Sequence, residues 1–135
     1  MRIQLTKRAD YAIRAVVALA TVADGRQSVR RIAAEQAIPV RFLPQVMADL
    51  VAAGIAEGVV GRSGGYRLAR PAATVTILEV IEAIEGDSRR ETCVLRGGPC
   101  RLNGVCDVHA VFAATQEAMI RQLGGATIAS LRPTA

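Results

Sequence analysis

The chain has 135 residues, of which 51% are apolar and only 3% are aromatic, and its net charge is +5. That length suits one small domain, and the apolar content provides for a core of aliphatic side chains, as in packed helices. The sequence has no run close to the roughly 20 apolar residues of a membrane helix and no apolar leader of the secretory type. We therefore expect a cytoplasmic protein that does not enter a membrane.

Positive charge is concentrated in the first half of the chain. Residues 1–70 contain 11 Lys/Arg and 5 Asp/Glu, whereas residues 71–135 contain 6 and 7. A basic half joined to a nearly neutral half favours contact between the first half and a polyanion such as DNA.

The first predicted element is a helix over residues 5–24. Thr6 is a suitable N-cap, Asp10 lies close to the positive end of the helix dipole, and Gly25 ends the pattern. The apolar side chains recur at helical spacing, which indicates one buried face.

Two shorter helices are predicted over residues 28–37 and 41–53, separated by a turn at Pro39. Pro44 has no amide hydrogen, so we expect an irregular first turn in the second of these helices. Two short helices joined by a tight turn, on a basic background, are typical of a helix-turn-helix. An ordinary helical hairpin has the same pattern.

A β-hairpin is predicted next, with strands over residues 55–60 and 66–70 and a glycine-rich tip between them. A hairpin in this position is the wing of a winged helix-turn-helix. It would bring Arg62 and Arg67 to phosphates or to the minor groove of DNA. The alternative is a surface hairpin whose arginines are solvated.

Two helices complete the predicted elements. Thr76 and Glu79 form a capping-box sequence that opens a helix to about Glu85, and a long helix is expected over residues 108–123, ended by the Gly-Gly pair that follows. The apolar row of the long helix comprises Val108, Val111, Phe112, Thr115, Ala118, Met119 and Leu123. This row suits a second copy of the helix, although a monomer could bury it against its own body.

Together these elements predict a mainly α fold with a small β-hairpin. The expected architecture is a winged helix-turn-helix plus a long C-terminal dimerisation helix. We expect a DNA-binding domain at 1–86, a cysteine-rich loop at 87–107, and the dimerisation helix and tail at 108–135.

The soft and borderline metal ligands fall close together in the chain: Cys93, Cys100, Cys106 and His109, which are all of its cysteines and its single histidine. Intervening glycines let the backbone bring the thiols to one point. Clustered thiolates favour zinc, copper(I) or an iron–sulfur cluster, and in the cytosol they are more often metal-binding or redox-active than disulfide-bonded. The alternative is three buried thiols that pack as small apolar side chains.

The start of the second short helix carries side chains suited to base edges. Gln45 can pair with adenine and Arg41 with guanine or phosphate, while other arginines would hold phosphates. The expected DNA contacts are Arg30, Arg31, Arg41, Phe42, Gln45, Arg62 and Arg67. Tyr11 is expected to pack in the core, although its hydroxyl could reach a phosphate.

The order of these features resembles that of the bacterial winged-helix iron–sulfur regulators that include IscR, NsrR and RirA. The resemblance spans nearly the whole chain. It is carried by residues 5–15, 64–70, 78–81 and 85–86, by the three cysteines and by the long helix. It implies a homodimer on a near-palindromic operator in double-stranded DNA, with the cysteines as iron ligands. We accordingly expect a repressor, not an enzyme, that senses nitric oxide, redox state or iron and cluster supply.

The resemblance also suggests two candidates for a fourth cluster ligand. Asp10 matches the aspartate of NsrR that reaches across the dimer, and His109 follows Cys106 as the histidine ligand of IscR does. Asp10 is preferred, and with it a four-iron cluster over a two-iron cluster. Each residue also has an ordinary role, in the first turn of a helix.

Two departures from the family pattern matter for function. Six residues separate the first two cysteines, where IscR and NsrR have five, which affects the type of cluster more than its presence. The base-reading glutamate of IscR falls at Pro44, so the operator sequence should differ from that of IscR.

Two other functions remain open from the sequence. One is a regulator of the same fold that binds no cluster and uses a thiol or zinc redox switch. The other is an enzyme in which Cys106 and His109 form a thiolate–imidazole pair, but three clustered cysteines make this the less economical account.

Overall fold

The structure is a computed structural model that describes residues 4–22, 25–61, 64–89, 93 and 106–131. The helices are α1 (Lys7–Thr21), α2 (Val29–Gln36), α3 (Leu43–Ala52), α4 (Ile77–Glu85) and α5 (His109–Gly125). The strands are β1 (Ala56–Val59) and β2 (Gly65–Leu68), and short 3-10 turns lie at Val40–Phe42, Ala72–Thr74 and Ile128–Ser130. The described part is therefore mainly helical with one hairpin, which confirms the predicted fold class. We call residues 4–85, as far as they are described, the winged head.

Local capping fixes the starts of three helices where the sequence predicts them. The Thr6 hydroxyl accepts a hydrogen bond from the Ala9 amide at 3.2 Å, and the Ser28 hydroxyl accepts one from the Arg31 amide at 3.2 Å. Thr76 and Glu79 form the complete reciprocal capping box. These side chains satisfy amide groups that have no partner within the helix.

Several helix and strand ends differ from the predicted ones. Helix α1 begins at Lys7 and ends at Thr21, so it is shorter at both ends than residues 5–24. Helix α2 ends at Gln36, because Ala37 takes a left-handed conformation with φ of 53°. The strands are four residues each and also shorter than predicted.

The predicted irregular start of α3 is confirmed. Val40–Phe42 forms a 3-10 turn in which the Phe42 amide donates to the Pro39 carbonyl at 3.1 Å. Pro44 lies in the first α-helical turn, where the absence of its amide hydrogen leaves no bond unmade.

Helix α1 runs through the centre of the core and packs against α4, α2, α3 and β2. The largest fully buried side chains include Leu19, Ile32, Leu43, Met47, Leu50 and Ile55. Tyr11 is partly buried and packs against this core, as predicted. The α2–α3 pair with the following antiparallel hairpin forms a winged helix-turn-helix.

The hairpin is anchored to α1 through a residue that the sequence analysis did not single out. Gln27 and Tyr66 exchange backbone hydrogen bonds of 2.9 and 2.8 Å. The buried Gln27 side chain donates from Nε2 to the Ala18 carbonyl at 2.9 Å. A Cβ atom added at Gly65 would lie 2.3 Å from the Gln27 carbonyl oxygen, so this close approach requires glycine.

The prediction that Gly124 and Gly125 break the last helix is wrong, because α5 continues through Gly125. Tertiary contacts hold this end: the Ile77 amide donates to the Ala126 carbonyl at 2.9 Å, and the Ile128 amide donates to Val75 at 2.8 Å. These bonds outweigh the low helix propensity of glycine.

Helix α5 buries little of its own surface. Ile120 is its one buried side chain, and the predicted apolar row does not include it. Of that row, Val108, Val111 and Met119 are 41%, 67% and 38% exposed. None of the helices in the described segments is long and apolar enough to cross a membrane.

Candidate DNA-binding surface and cysteine segment

An aromatic and cationic stack lies at the start of α3. The Arg41 guanidinium carbon is 4.8 Å from the centre of the Phe42 ring, and the rings of Phe42 and Tyr11 are 5.7 Å apart with a 32° tilt. Phe42 is 37% exposed although it packs on Tyr11. The stack fixes a cation at the end of the helix that a helix-turn-helix inserts into DNA.

The outward surface of α3 carries few polar side chains. Pro44, Gln45 and Ala48 are exposed along it. Gln45 donates from Nε2 to Asp49 Oδ1 at 3.1 Å, and Arg8 Nη2 of α1 forms an ion pair with Asp49 Oδ2. Neither Arg8 nor Asp49 was predicted as a site residue, because their pairing depends on how α1 packs against α3.

The predicted phosphate contacts that the structure describes are exposed, and two of them are paired with carboxylates. Arg31 Nε lies 2.8 Å from Glu35 Oε1, and Arg67 Nε lies 2.5 Å from Glu57 Oε1. Arg30 is exposed on α2. Exposed ion pairs of this kind contribute about 0–1 kcal/mol, so the arginines can exchange a carboxylate for a phosphate at little cost. The prediction for Arg62 lies outside the described residues.

An ion pair also joins the end of the hairpin to α4. Arg70 Nη2 contacts Glu79 Oε1 at 2.7 Å, and Nη1 donates to the Thr74 carbonyl at 2.6 Å. Partial burial acts to raise the pKa of the Glu79 carboxyl. Hydrogen bonds from Thr76 and the charge of Arg70 outweigh it, so the net pKa lies below the ordinary value.

Two of the three cysteines are described, and both are free and half-buried. Cys93 follows α4, and Cys106 precedes α5. The Cys106 carbonyl accepts a hydrogen bond from the His109 amide at 3.0 Å. This turn keeps the two Cα atoms within about 7 Å of each other. Cys100 lies outside the described residues.

Asp10 is engaged by its own helix. Arg14 Nε donates to both carboxylate oxygens, at 3.1 and 3.2 Å, one turn further along α1. Among the described residues, no three Cys, His, Asp or Glu side chains converge as a metal site would require. The structure thus links Cys106 to His109 through one backbone turn, and it pairs Asp10 with Arg14.

Side chains tie the start of the cysteine segment to both the winged head and α5. The Ser88 amide donates to Glu82 Oε2 of α4 at 2.8 Å, and Gln116 Nε2 of α5 donates to the Ser88 carbonyl at 3.3 Å. Arg89 forms a 3.5 Å ion pair with Glu117 of α5. The chain that leads to Cys93 therefore contacts the two helices that flank it.

Comparison with known proteins gives matches over nearly the whole chain. The Rrf2 family model, described as an iron-dependent transcriptional regulator, matches residues 5–133. The chain is 31% identical over 129 residues to protein aau3 of Rhizobium meliloti, which covers 95% of this chain and 84% of that protein. It is 32% identical over 130 residues to the HTH-type transcriptional regulator NsrR of Geobacillus kaustophilus, which covers 95% and 88%.

Solved structures share the fold at lower sequence identity. T. potens IscR superimposes with a TM-score of 0.74 at 24% identity, covering 95% of this chain and 85% of that one. The oxidised form of Staphylococcus aureus CymR gives a TM-score of 0.74 at 20% identity, covering 98% and 100%. The winged-helix architecture is therefore common to all three.

Proposed function

Because the chain belongs to the Rrf2 family of transcription regulators, we propose that it represses transcription by binding operator DNA as a homodimer. In this proposal an iron–sulfur cluster held by its cysteines sets the strength of binding. One arrangement supports it most strongly. The chain leading to Cys93 is hydrogen-bonded at Ser88 to both α4 and α5. Under the proposal, a change at the cysteines passes through this part of the chain to the head and to the long helix.

The start of α3 meets the major groove. Arg41 and Phe42 are exposed in the 3-10 turn that precedes it, and Gln45 is exposed in its first turn. Arg30, Arg31 and Arg67 hold phosphates beside it, giving up carboxylate partners where they have them. Arg62, at the wing tip, is assigned the same role from the sequence.

A second copy of the chain covers the exposed apolar row of α5. Val111 is 67% exposed and Met119 is 38% exposed, which is costly for side chains of this type in water. Pairing of two α5 helices gives the dimer two winged heads. The heads must lie about 34–36 Å apart, or a multiple of this, to reach successive major grooves.

The thiols of Cys93, Cys100 and Cys106 suit iron, and three thiolates leave one position for another ligand. Asp10 can fill it across the dimer, because its exposed pair with Arg14 is weak. His109 is the other candidate, since its turn keeps it beside Cys106. When bound, the cluster supplies irons that react with nitric oxide or oxygen. We favour Asp10 and a four-iron cluster.

The chain's own residues carry the effect from the cysteines to DNA. Glu82, Ser88 and Gln116 link the cysteine segment to α4 and α5. A shift of this segment alters how α5 lies against the head, and hence the distance between the two heads. Because groove spacing is fixed, a small change in that distance weakens specific binding.

Substitution of the cysteines tests the proposal. Each of Cys93→Ala, Cys100→Ala and Cys106→Ala, prepared without oxygen, should lose iron and specific operator binding. Exposed Gln122→Ala is the control and should retain both. Gel-shift affinity equal to that of the wild type in all three cysteine variants would contradict the coupling.

A cluster-free thiol or zinc switch is the second candidate. Two observations favour it: Cys93 and Cys106 are free and partly exposed, and the shared fold includes a CymR solved in an oxidised form. An anaerobic preparation that is colourless and still changes its DNA affinity on oxidation supports this candidate. Visible absorption with bound iron and sulfide supports the cluster.

A further inference from the structure

A carboxylate lies at the centre of a three-residue group beside the predicted base-reading residue. Asp49 Oδ1 accepts a hydrogen bond of 3.1 Å from Gln45 Nε2, and Oδ2 pairs with Arg8 Nη2. Gln45 and Asp49 are one turn apart on α3, whereas Arg8 belongs to the first turn of α1. The Asp49 side chain is 26% exposed, and that of Arg8 is 48% exposed.

This group determines which way the Gln45 amide points. An ionised carboxylate only accepts hydrogen bonds, so the side of Gln45 that faces Asp49 must be its NH2 group. One N–H is used there. The Oε1 atom and the second N–H remain available, and together they form a donor–acceptor pair on the exposed side of the helix.

The rest of the α3 surface adds little hydrogen-bonding capacity. Within Leu43–Ala52, the exposed residues are Pro44, Gln45, Ala48, Val51 and Ala52. Gln45 is thus the one exposed side chain of this helix that can form directional hydrogen bonds. Adenine presents an acceptor and a donor side by side in the major groove, which matches a glutamine amide.

Building on the DNA binding proposed above, we propose that Asp49 is a positioning residue that sets the Gln45 amide to recognise adenine. Arg8 completes the group by neutralising Asp49. An unpaired carboxylate close to the DNA backbone would be repelled by the phosphates. Paired with Arg8, Asp49 can stay beside the groove and hold Gln45 in one orientation.

Base preference, more than affinity alone, tests this role. The probe is a pool of DNA duplexes with a randomised central segment, from which each protein selects binding sites. The wild type should enrich adenine at one position in each half-site. Asp49→Asn can turn its own amide either way, so Gln45 loses its fixed orientation. That variant should lose adenine preference by about tenfold, the order expected for one well-formed base contact.

Three further variants separate positioning from charge and from folding. Gln45→Ala should lose the same preference, and adding Asp49→Asn to it should change the preference no further. Glu35→Gln removes a negative charge from exposed α2, where Glu35 pairs with Arg31. It should change affinity but leave adenine preference intact. Circular dichroism of each variant verifies that the helices are retained.

The outcomes distinguish this inference from the proposed function. If the wild type enriches a site and Asp49→Asn keeps the adenine preference, the positioning role is wrong while DNA recognition stands. The same conclusion follows if Asp49→Asn changes the base preference by the same amount in the Gln45→Ala variant as in the wild type. If the wild type enriches no sequence at all, the proposed function fails and the inference with it.

Discussion

Helices α1 and α5 are similar in length but differ in how much they bury. Helix α1 has 15 residues and buries six of them: Ala9, Ala12, Ala15, Val16, Ala18 and Leu19. Helix α5 has 17 residues and buries only Ile120. The small side chains of α1 let α4 and the helix-turn-helix pack closely around it. The apolar face of this helix is therefore buried within one chain. Helix α5 leaves most of its surface exposed, which is why we propose α5 as the contact between two chains.

The largest expected effect is on the free energy of unfolding, and it concerns the buried core around α1. Leu19→Ala removes a side chain that is 1% exposed at the centre of the core. The resulting cavity should lower the free energy of unfolding by about 2–5 kcal/mol, measured by chemical denaturation. Val60→Ala, at a side chain that is 98% exposed, should stay within about 0.5 kcal/mol of the wild type. Equal losses in both variants would contradict the assigned core.

On the α5 side, a charge should separate two chains without unfolding either one. Val111→Asp places a carboxylate in the exposed apolar row and should give a folded monomer by sedimentation, with weakened operator binding. Ala110→Asp is exposed on the same helix outside that row and should remain dimeric. An unchanged molecular mass for Val111→Asp would show that the dimer does not use this face.

A smaller effect is expected where the wing meets Gln27, which follows α1. Gly65→Ala would place Cβ 2.3 Å from the Gln27 carbonyl oxygen, and the backbone must shift to relieve this contact. We expect a loss of about 1–3 kcal/mol in unfolding free energy and weaker DNA binding through the displaced wing. Gly58→Ala in the paired strand meets no atom within 4 Å and serves as the control. Similar losses in the two variants would exclude the close approach as the cause.

The smallest effect concerns the tie between the hairpin and α4. The pKa of Glu79 is lowered on folding, so its ion pair with Arg70 stabilises the fold above the ordinary carboxyl pKa. That contribution is lost as the pH falls through the lowered pKa. Glu79→Gln keeps the capping-box pattern but should lose up to about 1 kcal/mol at neutral pH, because the pair is largely exposed.

Denaturation at several pH values measures this contribution. The difference between Glu79→Gln and the wild type should be present at neutral pH and shrink under acidic conditions. Added salt should also reduce it, since exposed charges are screened. A difference that grows as the pH falls would have the wrong sign for this ion pair.

Local features of the fold were predictable from the sequence. Thr6, Ser28 and the Thr76–Glu79 pair act on residues three positions away, so their hydrogen bonds follow from neighbouring sequence alone. The extension of α5 past Gly124 was not predictable in this way. It depends on bonds from Val75 and Ile77, which no local pattern encodes.

The candidate site shows the same division. The exposed start of α3 follows from its position after the turn, and Arg41, Phe42 and Gln45 lie there as expected. The Arg8–Asp49 pair joins residues 41 positions apart, so only the packing of α1 on α3 reveals it. Gln27 escaped notice because a lone glutamine carries no signal until its burial is known.

The central claim is that iron and sulfide bound by the cysteines control the affinity of the two winged heads for operator DNA. The most direct test is a titration of operator DNA with oxygen-free protein of measured iron and sulfide content, before and after exposure to nitric oxide. We predict stoichiometric iron and sulfide with visible absorption, and a loss of specific binding when that absorption is bleached. Protein that contains neither iron nor sulfide, yet binds its operator fully, would contradict the account.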